Sequence, residues 1–150
     1  MSVVSRLAAA VVIVTVSSAA SCRKSFFAHQ AFTPVPDWSC IASAVQESDD
    51  LIQVRILHRP GYQWLVAKWA DTTKRNQGQE IGIVRRVQNQ RTSDTVTVIV
   101  SSRPGEVAAN DVGVGGPFAL KLFHAIAARC ETQPTSEVTC ELGGDAVRCV

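Results

Sequence analysis

The sequence predicts an α+β fold: a four-stranded antiparallel meander sheet, two helices on one face of it, and a small disulfide-linked hairpin at the C-terminus. Three observations predict this. Residues 51–103 alternate apolar and polar side chains between turn signals, two stretches of helical spacing flank them, and four cysteines lie outside the sheet region. With 150 residues, 46% of them apolar, the chain suits one domain with a modest core.

The elements follow in order. Residues 23–36, RKSFFAHQAFTPVP, show no clean period and end in two prolines, which disfavour helix in the residues before them. They read as part of a tether, 22–36, whose Phe26, Phe27 and Phe32 dock on the domain that follows, 37–150. A helix starts near Asp37, whose short carboxylate can cap free N–H groups, and runs to about Gln46 with Trp38, Ile41 and Val45 on one face. Cys40 lies on this helix.

LIQVRIL alternates Ile52, Val54 and Ile56 against Gln53 and Arg55, and YQWLVAKWA is its return strand. Between them Pro60 and Gly61 supply the fixed and the positive φ of a type II turn. EIGIVRRVQ and TVTVIVS, joined by NQRTSD, make the second hairpin. In NDVGVGGPFALKLFHAIAARC, Phe118, Leu122, Ala125 and Ile126 recur at helical spacing, with Lys121, His124 and Ala128 facing the other way. Pro117 suits a first helical turn, where its missing N–H costs nothing. EVTCELGGDAVRCV reads as a short terminal hairpin.

The first 21 residues have the layout of an export signal. Met1–Arg6 carries one positive charge, Leu7–Val16 is an apolar run broken only by Thr15, and Ser17–Ser21 is all small residues. A bilayer span needs about 20 apolar residues, which this run does not reach. An ordinary leader peptidase could cut after Ala20 or Ser21. Alternatively, Ala19, Ala20, Ser21 and Cys22 resemble the lipobox of a bacterial lipoprotein. That resemblance implies an acylated Cys22 as the first mature residue and lipid anchoring in the cell envelope. Arg23 at the second mature position implies the outer membrane, facing the periplasm.

Lipidation of Cys22 leaves Cys40, Cys130, Cys140 and Cys149, an even set in an oxidising compartment. Four cysteines allow three pairings. The preferred one joins Cys40 to Cys130, stapling the helices, and Cys140 to Cys149 across a four-residue hairpin loop. On the chain-entropy account the longer bridge contributes about 4 kcal/mol.

The chemistry is read mostly by subtraction. The chain has no GxSxG, HExxH or GxxxxGK[ST] motif and no CxxC pair, and His29, His58 and His124 sit in separate elements. No catalytic, metal or cofactor assignment follows, and the expectation is a protein that is not an enzyme. GVGGPF at a helix start could hold an anion on its N–H groups, though a loop entering a helix accounts for it as well.

Charge separation is the strongest functional signal. Residues 51–103 carry nine basic side chains (Arg55, Arg59, Lys68, Lys74, Arg75, Arg85, Arg86, Arg91, Arg103) against three acidic ones, net +6, whereas the rest of the mature chain is net −5. Apolar residues on the second strand register, including Leu57, Leu65, Trp69, Val84 and Ile99, add a partly apolar face. Such a patch rimmed by arginine resembles an interaction surface. Edge protection of strands by Lys and Arg is the competing explanation.

The expected partner-binding residues are Arg55, Arg59, Trp69, Arg85 and Arg86. The expected function is membrane-anchored, non-catalytic binding of an acidic envelope protein or polymer, as an inhibitor or immunity protein would do. The alternatives are a structural accessory subunit of an envelope complex, or a small envelope enzyme using His58 or His124. Nucleic acid is not an expected partner, because export separates the domain from it, and a small-molecule substrate has no motif behind it.

Overall fold

The computed structural model describes residues 25–71, 79–101 and 109–149. The leader, Cys22, Lys74, Arg75 and Arg103 lie outside the described residues. The elements are β1 (Phe26–Thr33), α1 (Trp38–Gln46), β2 (Leu51–Arg59), β3 (Tyr62–Trp69), β4 (Glu80–Gln88), β5 (Arg91–Thr92), β6 (Thr95–Ser101), α2 (Ala109–Arg129), β7 (Gln133–Pro134), β8 (Thr139–Leu142) and β9 (Asp145–Val147).

The fold is mixed α and β with an antiparallel sheet, as expected, but the sheet has nine strands where four were expected. Their order is β2-β3-β4-β6-β1-β8-β9, with β5 added to β4 and β7 to β1. The meander is present as β2, β3, β4 and β6.

Residues 26–33 are therefore not a tether: they form β1, a central strand paired to β6 and β8. Phe26, Ala28, Gln30 and Phe32 point into the core, and the remainder of β1 lies on the opposite sheet face. The outward register of β1 includes the apolar, half-buried Phe27 and Ala31, so the alternation is blurred in the sequence although burial alternates in the structure. Pro34 and Pro36 fall beyond its end and break nothing.

Both helices pack on one face of the sheet. Here α2 lies over β1 and β6, and α1 packs against α2 and β2. The core between the layers holds Phe26, Phe32, Leu65, Ile81, Ile83, Val98, Phe123 and Ile126, all buried. Trp69 meets Phe118 edge-on at 5.0 Å and Phe32 meets Phe123 at 6.1 Å.

Helix α2 starts two turns before Pro117, which sits inside it rather than in its first turn. Two glycines of GVGGPF, Gly115 and Gly116, serve close approach. A Cβ at Gly115 would lie 2.7 Å from the Phe26 ring and 3.0 Å from Val100, so glycine lets the helix rest directly on β1 and β6. The run lies within the helix and does not open it. Ala125, expected inside, is exposed, and Phe123 is buried in its stead.

Asp37 is the N-cap of α1, but its side chain makes no capping hydrogen bond; its backbone carbonyl accepts from Cys40 and Ile41 instead.

Two disulfides are present, Cys40–Cys130 (Cα–Cα 5.8 Å) and Cys140–Cys149 (Cα–Cα 5.4 Å). The first joins α1 to the end of α2. The terminal hairpin turns on two residues, Gly143 and Gly144, both at positive φ, rather than on the four-residue loop expected. Cys140 consequently pairs with Val147, and the bridge reaches Cys149 just past the end of the strand.

Candidate functional site

Alternation along a strand sends successive side chains to opposite faces, so the basic residues divide by register. On the helix-covered face, Trp69 is 6% exposed and packed on Phe118. Arg85 is on the same face and 3% exposed. Its guanidinium donates to the Pro36 carbonyl and, at 2.9 Å, to Gln63 Oε1, and lies 5.5 Å from the Trp38 ring. Burial pushes its pKa below the usual arginine value, and the charge of Asp37 acts in the opposite sense. An arginine remains protonated under either influence. Trp69 and Arg85, expected to bind a partner, are thus buried. Trp69 is part of the core, and Arg85 ties the segment entering α1 to the sheet.

Replacing Arg85 by Met is expected to lower unfolding stability by about 2 kcal/mol, because the Pro36 carbonyl loses its buried donor. Charge reversal at exposed Arg59 or Arg86 is expected to change stability by less than about 0.5 kcal/mol. Urea denaturation of the three variants checks the contrast, and equal losses would contradict it.

The other three expected residues, Arg55, Arg59 and Arg86, share the open face. A bulge in β2 puts two of them there. Ile52 pairs with Lys68 but Arg55 pairs with Val66, so β2 holds one extra residue, and Gln53 within it has φ 55°. The bulge exchanges the registers: after it, Arg55, Leu57 and Arg59 share the face of Trp64 and Val66, whereas Ile56 and His58 turn to the helix side. The expected alternation of Ile52, Val54 and Ile56 on one face is broken at this point. Ile52 and Ile56 are 42% and 56% exposed on this edge strand.

The open face is built around Trp64. Its indole lies on Gly82, where a Cβ would be 3.1 Å from Nε1. The Arg59 guanidinium covers the ring at 4.9 Å from its centroid, and Tyr62 meets it edge-on at 6.3 Å. Leu57 and Val84 flank Trp64 on the neighbouring strands, and Arg86 stands opposite Tyr62.

Two turns meet at this end of the sheet. The Val87 N–H donates to the Gly61 carbonyl at 2.8 Å, tying the β2–β3 turn to β4. At the β4–β5 turn Asn89 and Gln90 both have positive φ, and Gln88 pairs with Arg91. Arg86, Gln88 and Arg91 thus stand on the open face and border a cavity of about 630 Å³ completed by Asn89, Thr92 and Ser93.

Arg55 is paired with Glu80 at 3.6 Å, but Arg59, Arg86 and Arg91 have no ion-pair partner among the described residues. The site therefore combines three free guanidinium groups with an aromatic pair, one member of which, Tyr62, is 45% exposed. Arg91 and Trp64 were missing from the expected site. The signal available for Arg91 was the turn at Asn89–Gln90, which fixes its register against Gln88.

The histidines do not converge. His29 Nδ1 is 2.9 Å from Thr97 Oγ1 beside Phe27, His58 lies on the β2 edge, and His124 is exposed on α2. The cavity at the arginines contains no histidine, nor do the clefts beside α2 at Asp50 and Lys121. Among the described residues no cluster of His, Cys, Asp or Glu is placed to hold a metal ion, and no helix is long and apolar enough to cross a membrane. The chain matches no protein-family model and no curated protein.

Proposed function

We propose that this chain is a non-catalytic, lipid-anchored envelope protein that binds an acidic protein or polymer through the open sheet face around Trp64. The observation that carries the reading is the grouping of Arg59, Arg86 and Arg91, without an ion-pair partner among the described residues, about the Tyr62–Trp64 pair. Arginine and aromatic residues are the side chains most enriched where protein surfaces bind partners, and a single-sign field steers oppositely charged ones. An inhibitor or immunity protein is one form this function takes.

The anchor proposed at Cys22 suits that role. Cys22 precedes Ser25 by three residues, a reach of about 10 Å, so the start of β1 is held near the membrane. The arginine turns lie at the other end of the sheet, because Phe26 pairs with Val100 whereas Ala31 pairs with Thr95, next to the β5 turn. Eight strand residues span about 26 Å, so the basic end faces away from the anchoring leaflet.

The test is capture from envelope extracts by the full chain, with an Arg59→Glu/Arg86→Glu variant beside it. Reversing both charges is expected to weaken capture at least ten-fold, and raising salt is expected to weaken capture by the unaltered protein. Recovery of the same material in equal amount by the variant would remove the reading.

A further inference from the structure

We infer that the cavity at the β4–β5 turn is a binding site for a tetrahedral oxyanion, the phosphoryl group of a phosphate monoester or free phosphate. This rests on the reading of the open face as a ligand surface and names the chemistry that its distal end recognises.

The lining residues supply donors. Arg86 and Arg91 flank the cavity from opposite strands, in register through Gln88↔Arg91 and the Ser93 N–H to Arg86 carbonyl bond at 2.9 Å. Ser93 Oγ accepts the Thr95 N–H at 3.1 Å, which leaves its own proton free to donate. Thr92 adds a hydroxyl, and Gln88 and Asn89 add amide groups. Among the described residues no carboxylate lines the cavity; Asp94, next along the chain, accepts from the Thr95 hydroxyl at 3.1 Å.

The number and kind of donors select the ligand. A carboxylate is planar and is satisfied by one arginine side-on. Two guanidinium groups on separate strands, with hydroxyl and amide donors at the turn between them, instead suit an anion whose three or four oxygens point in different directions, received in an open depression. A volume of about 630 Å³ admits a phosphate with its organic substituent.

Calorimetric titration of the full chain in neutral detergent tests this, with inorganic phosphate, glycerol 3-phosphate and acetate as probes at one ionic strength. Phosphate or its monoester is expected to bind at least ten-fold more tightly than acetate. Arg91→Gln is expected to weaken that binding ten-fold or more, and Arg55→Gln, whose arginine is paired with Glu80, to change it less than two-fold. A second arm separates the sources. Chain anchored in phosphatidylcholine vesicles is mixed with vesicles containing phosphatidic acid. Clustering that Arg91→Gln abolishes assigns a facing membrane's headgroups, and binding of glycerol 3-phosphate without clustering assigns a soluble monoester.

Equal binding of acetate and phosphate, or binding indifferent to Arg91→Gln, would overturn the inference. The two ideas fail separately. Loss of phosphate selectivity with envelope capture still dependent on Arg59 and Arg86 removes only the oxyanion site. Phosphate binding with capture indifferent to those arginines removes only the acidic-partner reading.

Discussion

Truncating Phe26 to Ala is expected to lower the stability of the domain by about 3–5 kcal/mol, the range for a fully buried phenylalanine. Phe26 is 0% exposed, stands between Val100 of β6 and Leu142 of β8, and lies under Gly115 of α2. Removing the ring leaves a cavity where sheet and helix meet, and neither backbone can collapse into it without breaking a strand pairing. Domains of this size are stable by about 5–15 kcal/mol in all, so the variant is expected to unfold at a much lower urea concentration. Phe27→Ala, on the open face and only half-buried, is expected to cost less than half as much. Near-equal and small losses for both would mean that residues 26–33 hang off the domain as a tether after all.

Breaking the two disulfides is expected to have unequal effects. The Cys40–Cys130 bridge closes a loop with a sequence separation of 90, worth about 4.6 kcal/mol of denatured-state entropy, whereas Cys140–Cys149 spans 9, worth about 2.6 kcal/mol. Replacing both cysteines of the long bridge by Ser is therefore expected to destabilise by about 2 kcal/mol more than the same change in the short one. The comparison is made by urea unfolding of the two double variants without reductant. Packing could reverse the order: the Cys149 carbonyl lies where a Cβ on Gly116 would be, so the short bridge also holds the C-terminal segment against α2. A larger loss from the short bridge would show that this docking outweighs loop entropy.

Much of the fold is legible in local chemistry. Pro60-Gly61 and Gly143-Gly144 mark turns because they meet demands on φ that few residue pairs satisfy, and Gly61 at φ 77° is where a type II turn needs it. The two helices and the meander follow from apolar period. Of the three pairings that four cysteines allow, the preferred one, with Cys40 and Cys130 on the two helices and Cys140 and Cys149 on one hairpin, is the one the structure holds.

The candidate site was legible only in part. Net charge located the basic strands and named Arg55, Arg59 and Arg86, but charge carries no information about which face a side chain occupies. Arg85 and Arg86 are chain neighbours of the same type, yet one is buried against Pro36 and Trp38 while the other is exposed opposite Tyr62. Period 2 separates them, and only the position of the helices says which register is inside.

By itself, then, the sequence determined where the chain turns, which segments are helical and that the strands are basic, because each depends on residues close in the chain. The tertiary structure alone decided that residues 26–33 enter the middle of the sheet and that an extra residue at Gln53 turns Arg55 and Arg59 to the open face. The first is set by strand pairing between distant segments and the second by a bulge inside a hairpin, and no local pattern encodes either.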